Sequence, residues 1–260
     1  MLMRISIVTI SFNQVEYLKE CIESVVSQKV DDLEYIVIDP GSTDGSRDLI
    51  ASYGNKIKAV FEPDAGPADG LAKGLSMATG DVIGFINSDD YLLEGCLENV
   101  EATFSKDLSL DVVMGAGFFV DKSGNKMGRI IPTKFTVDGY LYGAVSFIQQ
   151  SVFFKKSIYH RAGGINRDNK TCWDGELFLC MANAGANMKV VHENWSVFRL
   201  HDGGITGSGR LTDEYLLERK SIFSKIKGRK WRYSDYFVSK CYKFFRILRN
   251  PVLIWNKIKR

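Results

Sequence analysis

Two adjacent carboxylates, Asp89 and Asp90, follow an apolar run at residues 82–86 in the segment Asn87-Ser88-Asp89-Asp90. If that run is a strand, both acids emerge together at a sheet edge. Hard divalent cations such as Mg²⁺ and Mn²⁺ favour such a setting, taking one or two protein carboxylates while substrate phosphates and water complete the shell. The alternative is that one of the two acids caps a helix beginning near Leu93. A second pair, Asp39 and Asp44, belongs to the turn-forming stretch around Pro40-Gly41-Ser42-Thr43. A carboxylate there can accept from a ribose hydroxyl or base N–H of a nucleotide. Equally, both acids can form Asx turns, with Asp44 placed to cap a helix at Ser46.

These acids need a scaffold that delivers them to one edge. Residues 5–104 alternate short β-branched runs with amphipathic stretches, the pattern of a parallel sheet covered by helices on both faces. Ile5, Ile7, Val8 and Ile10 predict a first strand. Val15, Leu18, Cys21, Ile22, Val25 and Val26 form the stripe of a helix after it, with Asn13 and Glu16 as a capping box. Strands are expected at 35–39, 57–61 and 82–86 and a helix at 46–53, while Pro67 suits the first turn of another helix. The polar residues thus collect at strand carboxyl ends, where open α/β sheets bind ligands. Further on, strands are expected at 111–120 and 146–154 and a helix at 175–183, without internal repeats.

At 260 residues and 45% hydrophobic, the chain can bury one continuous α/β core. Its five cysteines are scattered without a CxxC pair, which argues against zinc or redox chemistry and reads as reduced thiols of a cytoplasmic protein. The first residues lack the zones of a signal peptide, and no stretch approaches the roughly 18 apolar residues of a spanning helix. The net charge of +3 conceals an asymmetry, because residues 220–260 carry +12 and residues 1–219 carry −9. An acidic body can hold a cation and a basic tail can meet an anionic surface. Aromatic residues from Phe223 to Trp255 interleave with lysine and arginine in that tail. This is the composition of a helix lying among anionic lipid headgroups, or else of helices packed on the body with a solvated basic face. No pattern of a DNA- or RNA-binding module accompanies the charge.

Taken in order, six segments resemble the landmarks of the family 2 glycosyltransferases of the GT-A fold, of the kind that build bacterial cell-surface polysaccharides. They are Thr9-Ile10-Ser11-Phe12-Asn13, Val37-Ile38-Asp39-Pro40-Gly41-Ser42-Thr43-Asp44-Gly45-Ser46, Glu62-Pro63-Asp64-Ala65-Gly66, Lys73-Gly74, Ala78-Thr79-Gly80-Asp81 and Asn87-Ser88-Asp89-Asp90. The resemblance continues more weakly to about residue 206. It implies an α/β GT-A fold with a mostly parallel central sheet flanked by helices. It divides the chain into a catalytic domain at 1–219, split near residue 104 into nucleotide and acceptor halves, and a basic helical tail at 220–260. Thr9 and Asp39 would hold the nucleoside, Asp64 and Lys73 would line the donor site, and Asp89 would meet ribose or the donor sugar. Asp90 would bind Mn²⁺ or Mg²⁺. The family's usual asparagine before the lysine is Ala72 here, which puts one donor contact in doubt.

Trp173-Asp174-Gly175-Glu176-Leu177 resembles the region that supplies the catalytic base, with Asp174 matching that position better than Glu176. A carboxylate suits the role because an acceptor hydroxyl becomes a useful nucleophile only as its proton is removed. Both acids can instead simply complement a helix dipole. Gln149 and Gln150 resemble the acceptor-side segment, where an amide binds sugar hydroxyls or else satisfies backbone groups. Arg199 and His201 match a loop that approaches the diphosphate or metal in relatives. The implied reaction is a single displacement with inversion, from a UDP-sugar by family tendency, onto a lipid-linked saccharide at the inner face of the cytoplasmic membrane. A sugar-phosphate nucleotidyltransferase is the rival enzyme, but Ser11-Phe12-Asn13-Gln14 stands where its Gly-rich phosphate loop belongs. A non-catalytic saccharide- or membrane-binding protein on the same scaffold is the third reading.

Overall fold

Apolar residues on both faces, Ile5 and Ile7 on one and Val8 and Ile10 on the other, let β1 (Ile5–Ile10) be covered on both sides, as a strand between two helical layers must be. The structure, a computed structural model, describes residues 3–204 and 211–249. β1 pairs in parallel with β2 (Leu33–Ile38) and β4 (Val82–Asn87), and β3 (Lys58–Val60) extends the sheet beyond β2. Helices α1 (Val15–Val26), α2 (Ser46–Ser52) and α3 (Pro67–Met77) make the connections, with Pro67 in the first turn of α3 as its fixed φ favours. Strand alternation divides the core in two. Ile5, Ile7 and Val37 pack with Leu18 and Ile22 of α1, while Val8, Ile36 and Ile38 pack with Leu71 and Leu75 of α3.

The later strands depart from this parallel pattern. β5 (Tyr91–Leu92) and α4 (Cys96–Lys106) lead to β6 (Val112–Asp121), β7 (Lys126–Ile130) and α5 (Val137–Leu141). After them come β8 (Val152–Lys155), α6 (Lys156–Arg161), α7 (Trp173–Asn183) and β9 (Met188–Leu200). The sheet runs β3-β2-β1-β4-β8-β6-β9-β5, with β7 beside β6. β8 is antiparallel to both β4 and β6, whereas β6 and β9 are parallel, so the sheet is mixed.

Three local expectations change. The strand expected at 146–154 begins only at Val152, because Gln149–Ser151 form a 3-10 turn. The helix expected near Leu93 begins at Cys96 after β5, so neither Asp89 nor Asp90 caps it. α1 has no capping box: Asn13 adopts a left-handed φ of 50°, and the Val15 N–H is taken by Asp44 Oδ2 of the next loop at 2.9 Å.

β6 packs tightly against a side chain of β9 at Gly115, where a Cβ would stand 2.3 Å from Cε3 of the fully buried Trp195. Neither partner can move without opening the sheet. Gly115→Ala is expected to cost about 2 kcal/mol, as overpacking does, and to shift the urea midpoint downward at constant m. An unchanged midpoint would mean that this contact relaxes freely.

The C-terminal helices α8 (Thr212–Lys227) and α9 (Tyr233–Arg249) fold back on the segment around α5. Ile222 and Phe223 are buried, Trp231 meets Phe223 at 4.7 Å, and Tyr242 stacks on Tyr142 at 5.2 Å. Asp235 is buried, receiving both Arg229 guanidinium nitrogens and the Tyr142 hydroxyl, and these donors hold its carboxyl well below the ordinary range. The expected boundary at 219/220 therefore falls inside one continuous helix that belongs to the body. The opposite face of α9 remains open, with Tyr233 and Phe237 92% and 72% exposed. Trp255 and the rest of the tail past residue 249 lie outside the described residues, as do residues 205–210.

Candidate active site

A cavity of about 710 Å³ opens at the carboxyl ends of β1 and β4, its near wall formed by Ser11, Asp64, Asn87 and Asp89. Two buried oxygens in this wall, Ser11 Oγ and Asp89 Oδ1, have no hydrogen-bond partner. Buried polar atoms are nearly always paired, so two orphans in one cavity mark where a polar ligand belongs. Gln149, Gln150, Trp173 and Asp174 also line the cavity.

The two adjacent acids part company at the turn after β4. Asp90 is 1% exposed and turned inward. Its Oδ1 accepts the Arg199 backbone N–H at 2.9 Å, and its Oδ2 accepts the amides of Gln150 and Asn87. Burial, with Asp89 alongside, pushes its carboxyl well above the usual range. Asp89 instead lines the cavity, its Oδ2 2.9 Å from His201 Nε2 and its Oδ1 unpaired. Asp90, expected as the metal ligand, has both carboxylate oxygens engaged by protein donors, whereas Asp89 Oδ1 has no partner. A half-satisfied carboxylate suits Mn²⁺ or Mg²⁺ with phosphate oxygens and water completing the shell, and the neighbouring imidazole could join the shell of Mn²⁺. Among the described residues no cluster of three metal-ligating side chains occurs, so the protein itself would contribute these two.

Several residues expected to contact the nucleotide or donor are bonded to protein groups. Thr9 lies on the α1 face of β1, by the same alternation as Ile5 and Ile7, and its buried hydroxyl pairs with Tyr35 at 3.0 Å. Asp39 is buried and receives Gly41 N–H, Ser42 N–H and Ser42 Oγ–H, so it builds the loop whose Pro40 lines the cavity. Ser42 Oγ in turn accepts the Asn13 N–H, and Asn13 Oδ1 accepts Thr43 N–H, tying the first two loops together. Lys73 donates to Pro63 O and lies 3.5 Å from Asp69, latching the loop that carries Asp64. Asp64 does face the cavity, and burial raises its pKa. Ser11 and Gln14 were missed as wall residues. Gln14 accepts from Ser88 and reaches Asp89 Oδ2 at 3.5 Å.

Asp174 is the second residue of α7, its Oδ1 accepting the Gly175 N–H at 2.7 Å, and burial raises its pKa. Glu176, one turn face away, is 4% exposed and bound by the amides of Asn166 and Asn169, so it holds a loop and does not reach the cavity. Gln149 faces the cavity while its amide donates to Phe85 O at 2.6 Å. Arg199 is not a free diphosphate binder. Its guanidinium donates to Asp89 O and Glu20, and packs over Tyr17 and Tyr91, clamping the acidic turn from β9.

The family model for glycosyl transferase family 2 matches residues 6–173, from β1 to the first residue of α7. The chain belongs to that family. An uncharacterized glycosyltransferase of Nostoc sp. is 27% identical over 211 residues, covering 76% of this chain and 65% of that protein. A chondroitin synthase of Pasteurella multocida is 26% identical over 187 residues, 70% of this chain but 19% of the synthase. The chain thus spans less than two thirds of either relative. Among solved structures, S. aureus TarS 1–349 in complex with UDP-GlcNAc superposes with a TM-score of 0.73 at 17% identity, covering 95% of this chain and 73% of that one. Mannosyltransferase PcManGT from Pyrobaculum calidifontis, in complex with GDP-Man and Mn²⁺, gives 0.67 at 16% identity, covering 96% and 72%. This family 2 chain therefore has the GT-A-like α/β fold, with the mixed sheet described above.

Proposed function

We propose that this family 2 chain transfers a hexosyl or N-acetylhexosaminyl unit from a nucleotide-diphospho-sugar to a hydroxyl of a lipid-linked saccharide, with inversion. The observation that carries this reading is one cavity lined both by Asp89, whose Oδ1 is unpaired and whose Oδ2 lies 2.9 Å from His201, and by Asp174. Asp89 and His201 would hold the divalent cation, whose charge would offset that developing on the departing nucleoside diphosphate. Ser11 and Asp64, beside Pro40, are suited to bind the nucleoside and its ribose. Asp174 accepts the acceptor's proton as the hydroxyl oxygen bonds to the anomeric carbon from the face opposite the leaving group. The apolar cavity walls keep competing water away from that carbon. UDP is the preferred carrier. Both UDP-GlcNAc and GDP-Man occur on this fold in the two solved structures named above.

A lipid-linked acceptor in capsule, lipopolysaccharide or exopolysaccharide assembly, at the cytoplasmic face of the membrane, accords with α9. Tyr233, Phe237, Phe244 and Leu248 fall on one exposed helical face, with Lys240 and Lys243 at its border. Such a face is suited to lie in anionic headgroups. No helix among the described residues is long and apolar enough to cross a membrane. The test is transfer of radiolabel from UDP-, GDP- and dTDP-sugars to organic-extractable acceptor in vesicles rich in anionic lipid. Label from a UDP-sugar is expected in the lipid fraction, with the anomeric configuration reversed. Retained configuration, or label that never reaches lipid, would contradict the reading.

A further inference from the structure

A second cavity, of about 530 Å³, adjoins the first and shares Phe147, Thr171 and Asp174 with it. Asp174 therefore stands at a junction between two chambers. One chamber carries the candidate metal pair, and the other is walled by Tyr140 on α5 and by Tyr215 and Arg219 on α8. α8 lies past the stretch that the family model covers, so this wall is a feature of this chain's own C-terminal part.

The second chamber has its own chemistry. Phe147 and Tyr215 offer ring surface of the kind against which the C–H face of a sugar packs, while the Tyr140 ring, stacked on Phe135 at 5.4 Å, backs the wall. Arg219 is held in place: its guanidinium lies 4.4 Å above the Tyr140 ring, and one terminal nitrogen donates to Tyr140 O at 2.8 Å and Leu141 O at 3.4 Å. Among the described residues no carboxylate lies within ion-pair distance of it, whereas Arg161, Arg167 and Arg229 each have one. A guanidinium has five N–H donors, and a preorganised one with no counter-ion is suited to a carboxylate or phosphate. Tyr140 also links this group to the catalytic end, because its hydroxyl packs against Gly175, next to Asp174.

We infer that this chamber is the acceptor subsite and that it selects a sugar bearing an anionic group, a carboxylate or a phosphate, which pairs with Arg219. The ring rests between Phe147 and Tyr215, and the attacking hydroxyl points to Asp174. The inference rests on the transferase reading above, with Asp174 as base. Arg219 is then a specificity-determining residue, placed in a body whose net charge of −9 over residues 1–219 otherwise disfavours anions.

The test uses the full chain and a donor that it hydrolyses in the absence of acceptor. Water-driven hydrolysis is measured against increasing p-nitrophenyl glucuronide, glucose 1-phosphate and neutral p-nitrophenyl glucoside, because any occupant of the subsite displaces the water near Asp174. At least one anionic probe is expected to halve hydrolysis, or divert it to transfer, at a concentration roughly tenfold or more below the neutral glucoside. Which of the two does so tells carboxylate from phosphate. Arg219→Gln is expected to bring the anionic and neutral values together. Equal potency of all three probes on the wild type, no effect of either anion, or an Arg219→Gln variant that weakens neutral and anionic probes alike would overturn the inference. In each of those cases donor hydrolysis persists and the transferase reading stands. Failure of any nucleotide sugar to be hydrolysed would overturn both.

Discussion

Asp89→Ala is expected to lower Mn²⁺-dependent donor turnover by roughly 10³-fold, the scale of losing a principal electrostatic contact to the leaving group. Its melting temperature should fall only slightly, because Asp89 Oδ1 has no partner to lose and Oδ2 gives up only the contacts with His201 and Gln14. Asp90→Ala should behave in the reverse way. It strips the Arg199 N–H and the amides of Gln150 and Asn87 of their acceptor, at about 3 kcal/mol for buried donors left unpaired. Circular dichroism melts and steady-state kinetics on the two variants therefore separate a ligand from a support. If Asp90→Ala were stable and inactive while Asp89→Ala kept its metal response, the assignment of the two acids would be reversed.

Asp174→Asn is the second large effect, a fall in the transfer rate of roughly 10²- to 10⁴-fold with donor affinity retained. The wild-type rate carries a signature of the same group. Burial raises the Asp174 pKa, so the carboxyl is protonated, and unable to accept a proton, up to a higher pH than an exposed carboxylate. The acid limb of the pH–rate profile is expected above the ordinary carboxylate range, rising with pH, and absent from the residual activity of Asp174→Asn. Linkage gives a stability counterpart. A carboxyl with a raised folded-state pKa contributes stability below its unfolded pKa that is lost as pH rises through the folded pKa. Asp174→Asn should accordingly melt higher than wild type at neutral pH, the difference closing on acidification. A variant with full transfer activity would remove Asp174 from the mechanism.

The strand–helix alternation of the first hundred residues was legible because local pattern decides it: Ile5 to Ile10 must be covered on both sides. The acidic turn was legible as a site, yet not which acid faces the ligand. That choice is made by Gln150 and Arg199, 60 and 109 residues away, which turn Asp90 inward. The pairing of the Thr9 hydroxyl with Tyr35 was not legible, because sharing a motif with cavity residues does not fix which face of the strand a side chain takes. β9 escaped detection because residues 188–194 are half exposed and include His192, Glu193 and Asn194, so they lack the apolar alternation of a covered strand. In the tail, periodicity alone could not divide the aromatics. Phe223, Trp231 and Tyr242 gather around Tyr142, leaving Tyr233, Phe237 and Phe244 exposed, a partition fixed by tertiary contact.

The central claim is that a sugar nucleotide binds with its diphosphate at Asp89 and His201, in the cavity that Asp174 also lines. The most direct test is hydrolysis of a panel of UDP-, GDP- and dTDP-sugars by the purified chain, with Mn²⁺ and with the metal chelated. Metal-dependent release of a single nucleoside diphosphate, lost in Asp89→Ala, is the predicted result. Release that is indifferent to both the metal and Asp89, or no release from any donor, would contradict it.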